Sequence, residues 1–275
     1  MILVTGASGL VGREVASRLV GRESVRLGLR DATKGADGIR FDFLDPLTFE
    51  AALNGIDRVF LLRPPQLARA RHDFGSFVEA MQRAGVRKVV FLSVRGAARN
   101  PLLPHRQIER LLEASGLAWT HLRPNDFMQN FATVHRADIR DRGEIWAPGG
   151  RGRTSFIDVR DIADAAMRVL TEPGHERRAY TLTGDDAFSL DDVAVVLSEA
   201  LGCRVIYRRP SIPAFLRHIR AAGHPLAFGL VMTGVYTVAR LGLAAEITPD
   251  LKRLIGRPPT TLQSFVDDYA NAWQT

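Results

Sequence analysis

The chain has 275 residues, 46% hydrophobic and 24% charged, which suits one large α/β domain or a domain with a smaller appendage and excludes a disordered chain. Its single cysteine, Cys203, excludes an internal disulfide framework and a cysteine-based metal site. The net charge of +7 raises nucleic acid as a partner, but the basic residues are scattered and all except Lys34, Lys88 and Lys252 are arginine, a bias that reads as GC-rich coding; no nucleic-acid partner is expected.

The first element carries most information. An apolar strand, Ile2–Thr5, runs into Gly6, Gly9 and Gly12, and a helix follows with Val11, Val15, Leu19 and Val20 on one face. Gly6 permits a tight turn, Gly9 lets backbone approach a pyrophosphate, and Gly12 lets the helix lie flat on the strand. The amides of Ser8, Gly9, Leu10, Val11 and Gly12, with the positive end of the helix, form a phosphate cradle. A strand beginning at Ile2 leaves no room for a leader within this chain, so a cytoplasmic location is expected.

Strands and helices then alternate. Strands are expected at Val25–Leu29, Phe41–Phe43, Asp57–Leu62, Lys88–Ser93 and Trp119–Arg123, with helices through Ala51–Leu53, Phe74–Ala84 and Ile108–Ala114. Buried strands between amphipathic helices predict a doubly wound parallel sheet of the Rossmann type. Thr154–Val159 reads as a strand, Arg160–Leu170 as a helix and Arg178–Thr183 as a strand. Ser189 is an expected N-cap for a helix reaching Leu201, with a short strand at Arg204–Arg208. From Pro213 to Leu243 the chain is apolar but broken by Arg240 and glycines, so it reads as a helical cap over a ligand or a subunit surface, not a membrane span; Phe215, Phe228 and Tyr236 are its candidate wall residues. The expected division is a dinucleotide-binding domain at 1–183, with 125–153 contributing to the substrate pocket, and a smaller, mostly helical substrate region at 184–275; a monomer or homodimer is expected.

Several segments together resemble a known family. They are Thr5-Gly-Ala-Ser-Gly-Leu-Val-Gly12, Phe41-Asp-Phe-Leu-Asp45, Leu61-Leu-Arg-Pro-Pro65, Phe91-Leu-Ser93, Leu122-Arg-Pro-Asn125 with Phe127-Met-Gln-Asn130, Phe156-Ile-Asp-Val-Arg-Asp-Ile162 and Ile255-Gly-Arg-Pro-Pro-Thr-Thr-Leu262. The whole is similar to the NmrA-like atypical short-chain dehydrogenase/reductases, which include quinone, azo-dye and triphenylmethane reductases and redox-sensing co-regulators. The resemblance implies that Asp42 and Phe43 flank an adenine, that Leu62 and Arg63 lie along the ribose–phosphate arm, and that Pro124 and Asn125 approach the nicotinamide. It also implies that Arg30, at the end of strand two with Lys34 nearby, binds a 2′-phosphate, which favours NADP(H). Asp31 is the counter-argument, and NAD(H) stays open.

Typical short-chain reductases use a tyrosine with a lysine four residues on. Neither Tyr180, Tyr207, Tyr236 nor Tyr269 has lysine at that spacing, and His105 and Glu109 stand where the pair is expected. His105 is therefore a candidate proton donor, with Glu109 favouring its charged form, and Ser93 is a candidate at the strand end near the nicotinamide. The alternative is that the site only positions hydride donor and acceptor, which suits a quinone-like or aromatic electrophile that absorbs the electrons itself. The expected function is NADPH-linked reduction of such a compound; the other reading is a non-catalytic NADP(H) sensor. Asp158, Asp161 and Asp164 have a helical rhythm, but Arg160 and Arg168 are expected partners and no metal is expected.

Overall fold

A computed structural model describes residues 1–31 and 38–274, in two compact units. The first comprises Met1–Pro124, Val159–Leu182 and Asp250–Arg257; the second comprises Asn125–Asp158, Thr183–Pro249 and Pro258–Thr275. The chain thus passes between them more than once, whereas the division read from sequence cuts it once, after residue 183.

The first unit is built on strands β1 (Ile2–Thr5), β2 (Val25–Leu29), β3 (Gly38–Arg40), β4 (Arg58–Leu62), β5 (Lys88–Leu92), β6 (Ala118–Pro124) and β9 (Arg178–Leu182). Among the described residues these form one sheet in the order β3-β2-β1-β4-β5-β6-β9, every neighbouring pair parallel. The order reverses between β1 and β4, so the crevice beyond their carboxyl ends is the place where such sheets bind ligands. Leu3, Val59, Leu61, Val89 and Phe91 project to one face, where they pack with residues of α2 (Phe49–Leu53), α3 (Ala70–Arg83) and α4 (Pro104–Ala114). The period-two alternation sends Ile2, Val4, Phe60 and Val90, all fully buried, to the other face. There α1 (Leu10–Leu19) lies against α7 (Val159–Thr171), and α11 (Asp250–Ile255) packs on α7.

The third strand lies at Gly38–Arg40, not at the expected Phe41–Phe43. Phe41 N–H still donates to the Leu29 carbonyl at 2.8 Å, but the Asp42 carboxylate then accepts from Leu44 N–H at 2.9 Å and turns the chain. Phe41 and Phe43 instead enter an aromatic core with Phe49, Phe74 and Phe77.

The second unit holds α5 (Gln129–Ala132), α6 (Arg136–Arg142), β7 (Glu144–Trp146), β8 (Arg153–Thr154), β10 (Phe188–Ser189), α8 (Leu190–Leu201), β11 (Ile206–Arg208), α9 (Ile212–Ala221), α10 (Leu226–Arg240) and α12 (Leu262–Asp268). Strands β7 and β11 pair parallel, and β8 and β10 antiparallel. Ser189 caps α8 as expected: its hydroxyl accepts from Asp192 N–H while the Asp192 carboxylate accepts from Ser189 N–H. The expected strand at Thr154–Val159 shrinks to Arg153–Thr154. Ser155 N–H donates to the Ala244 carbonyl and Ile157 N–H to the Asp126 carbonyl, so irregular segments take the place of a strand partner. Phe215 and Tyr236 are buried in this unit's core, and Phe228 is packed against it. No helix among the described residues is long and apolar enough to cross a membrane.

Candidate active site

The first unit gathers its chemistry at the carboxyl ends of its central strands. Thr5 begins the junction: its hydroxyl donates to the Phe60 carbonyl at 3.1 Å and accepts from Leu62 N–H at 2.9 Å, tying the ends of β1 and β4 together. Gly6 follows with φ of +63°, a left-handed value, and a Cβ there would meet Leu62 Cδ2 at 3.2 Å. Gly9 N–H returns to the Gly6 carbonyl at 2.9 Å. A Cβ at Gly12 would overlap that same carbonyl, so only glycine lets α1 approach the turn this closely.

These residues fit a dinucleotide pyrophosphate. Gly9 is the N-cap of α1 and supplies no side-chain bond to the first-turn amides, while Ser8 and Gly9 are exposed. The amides of Leu10, Val11 and Gly12 have no intrahelical acceptor, as in every helix, and Gly9 has no side chain to cap them. Arg30 is exposed directly after β2. Lys34 lies outside the described residues.

Other expected cofactor residues are placed with more constraint. Phe43 is buried, its ring 4.8 Å from both Phe41 and Phe74, so the ring belongs to the core and only its backbone and Asp42 remain at that strand end. Leu62 is half-buried beside Gly6. Arg63 folds back on its own loop: Nη1 donates to the carbonyls of Pro64, Pro65 and Leu67 at 3.2, 2.9 and 2.7 Å. Pro124 closes β6 in the first unit. Asn125 opens the second, where its amide donates to Ser155 Oγ and to the Ala244 carbonyl, each at 2.8 Å, and so fixes two loops.

Past the end of β5, Glu109 and Ser93 belong to a buried polar cluster. Glu109 has no exposed surface, yet it accepts from Ser93 Oγ at 2.7 Å, from Arg123 Nε and Nη2 at 2.8 and 2.9 Å, and from Arg106 Nη1 at 3.0 Å. Burial alone pushes its carboxyl up; the bonds from Arg123 and Ser93 overcome that and hold it at about 2. Ser93 is buried and its hydroxyl proton is committed to Glu109. Glu109, Glu113 and His121 bring ligand atoms within 4.8 Å of one another, but Arg106 bridges the two carboxylates and Arg123 takes Glu109, so guanidinium groups stand where a cation would.

His105 differs from the expectation. Burial pushes its imidazole down to about 4, the Arg63 charge adds to this, and Glu109 opposes it too weakly. Glu109 does not keep His105 charged because its own charge is matched by Arg123 and Arg106. The Arg63–His105 and Glu109–Arg123 contacts had no signal in the sequence, since their members lie on separate segments. The Arg106–Glu109 pair was legible as an i, i+3 helical spacing. The aspartate series on α7 is also paired, though not with Arg168, which bonds Glu172 at 2.7 Å. Arg257 instead donates to Asp161 and Asp164 at 2.6 and 2.7 Å, and Arg18 Nε reaches Asp164 at 2.7 Å. That gives the arginine of the Gly-Arg-Pro-Pro segment a structural task.

Comparison with known proteins fits this geometry. The NAD(P)H-binding family matches residues 6–173. The chain is 34% identical to the NAD(P)H azoreductase of Xenophilus azovorans, covering 99% of each chain. It is 28% identical to quinone oxidoreductase 2 of Escherichia coli, covering 98% of this chain and 99% of that one. The structure of the latter with NADPH superposes with a TM-score of 0.87, covering 98% and 100% of the two chains. The Citrobacter triphenylmethane reductase, 24% identical, superposes with a TM-score of 0.88 over 98% and 99% and shares the fold.

Proposed function

The chain belongs to the NAD(P)H-binding family of atypical short-chain reductases, and from that premise we propose that it reduces a small conjugated electrophile, quinone-like or azo-aromatic, with NADPH. It is an NAD(P)H-dependent oxidoreductase; the cofactor preference and the substrate class are the proposal. The observation that carries it is the buried tie between Ser93 and Glu109, the latter standing where a relay lysine is expected. Glu109 is saturated by Arg123, Arg106 and Ser93, and His105 is neutral near pH 7, so this cluster holds no ready proton. A ketone reduced here would leave an alkoxide with no acid beside it. A quinone or azo bond spreads the incoming charge and takes its proton from water.

When bound, the nicotinamide supplies a hydride. The amides after Gly9 bind the pyrophosphate, Arg30 with Lys34 favours the 2′-phosphate, and Leu62 beside Gly6 lines the arm between them. The named relatives favour the same substrate class. The test is NADPH consumption with a panel of quinones, azo dyes, enones and simple ketones. Turnover with the first two and not with ketones is expected. Tight NADPH binding without turnover on any member would favour the sensor reading.

A further inference from the structure

The contact between Arg63 and His105 defines a chemical state. We propose that Arg63 holds His105 as the neutral imidazole with its proton on Nδ1, so that His105 serves the reduction as a fixed hydrogen-bond donor to the substrate and not as a proton source. The substrate class in this inference rests on the function proposed above; the state of the ring does not.

A guanidinium nitrogen carries only donors. Arg63 Nε lies 3.3 Å from His105 Nε2 and donates to it, so Nε2 presents its lone pair. With a proton there, two donors would oppose each other. A neutral ring has one N–H, which is then on Nδ1. Arg63 cannot readily swing aside, because Nη1 is held by the carbonyls of Pro64, Pro65 and Leu67. The charged groups facing His105 are Arg63, from the segment after β4, and Glu109, one turn further along α4. Phe91 of β5 lies at 6.2 Å, ring to ring, and adds no charge. Arg63 therefore opposes protonation, while Glu109 is matched by its own arginines.

His105 Nδ1 has no hydrogen-bond partner among the described residues, and it is not among the buried polar atoms left unpaired. It is thus a donor open to solvent or ligand. Its place also suits a ligand: β4 and β5 are adjacent, Leu62 opposite Leu92, and Leu62 abuts the Gly6 turn. As a quinone accepts hydride at one atom, an electron pair moves onto a carbonyl oxygen and makes it a phenolate. A hydrogen bond from Nδ1–H strengthens as that charge grows. Water would then supply the proton that completes the hydroquinone, the electron pair having come as hydride from the bound nicotinamide, and His105 would keep its own proton throughout.

The state of the ring can be read without turnover, by two-bond ¹⁵N–¹H NMR on the full chain labelled at histidine. His105 is expected in the Nδ1–H tautomer at pH 7, with no titration between pH 5.5 and 8. Arg63→Met should release it to a mixed tautomer with a raised pKa. Kinetics with 1,4-naphthoquinone then test the donor. His105→Phe should lower kcat about tenfold or more, the factor expected of a hydrogen bond to a charged oxygen, while the NADPH KM stays unchanged. His105→Asn, whose amide nitrogen can stand near the Nδ1 position, should stay within about threefold of the parent. An Nε2–H tautomer, a titration near pH 6.5, or a Phe variant as fast as the parent would overturn the proposal. Absence of turnover on every quinone and azo dye, with the Nδ1–H tautomer intact, would instead strike the proposed function.

Discussion

The proposed cofactor preference rests on Arg30 and the local charge balance on Glu109. Arg30 is exposed after β2, and the 2′-phosphate reading makes a direct demand on it. Arg30→Ala should weaken NADPH by about 1.5–3 kcal/mol, the range for a charged hydrogen bond, and leave NADH nearly unaffected; calorimetry with both cofactors checks this. Equal losses would mean that Arg30 does not read the phosphate. Glu109 answers to pH. Its ordinary value of 4.5 falls to about 2 in the folded chain, so its contribution is complete above 4.5 and is lost as pH falls from 4.5 towards 2. Glu109→Gln leaves the Arg123 charge without its carboxylate in a largely buried setting, while Arg106 keeps Glu113. It should cost about 3–5 kcal/mol at pH 7 and flatten the acid limb of stability. Urea denaturation at pH 7 and pH 3 compares the two; an unchanged midpoint at pH 7 would show the cluster to be energetically idle.

At the scale of elements, the glycine turn separates folding from binding. Gly9 has φ of −81° and ψ of 170°, ordinary for any residue, and a Cβ there would meet only the Gly6 carbonyl, at 3.3 Å. Gly9→Val should therefore fold and lose dinucleotide affinity, because on the proposed reading the branched side chain would stand where the pyrophosphate approaches. Wild-type affinity in a folded variant, measured by calorimetry, would contradict this. Gly12→Ala, by contrast, should fail to fold natively, since its Cβ overlaps the Gly6 carbonyl. In the second unit the reciprocal cap on α8 is a purely structural element. Ser189→Ala should cost about 1 kcal/mol in thermal denaturation and leave NADPH affinity unchanged.

For the molecule as a whole, what was legible in the sequence follows from how local each feature is. The Gly6–Gly12 turn, the apolar strands and the Ser189 cap are short-range patterns, and each appears in the structure where its residues stand. Strand β3 was misplaced by three residues because Asp42 bonds its own backbone and the phenylalanines beside it enter the core. The partners of Glu109, His105 and Asp161 were not legible, since Arg123, Arg63 and Arg257 come from distant segments. Those arginines change the reading of the site: a possible histidine acid becomes a neutral ring, which favours the proposed reduction without a proton from the chain. The most direct measurement is single-turnover reduction of 1,4-naphthoquinone with NADPH deuterated at C4, followed from pH 5.5 to 8.5. A primary isotope effect on a rate that stays flat across this range is the expected result. A rate that falls as pH rises through one ionisation would show that a group of the chain donates the proton, and would contradict reduction that takes its proton from water.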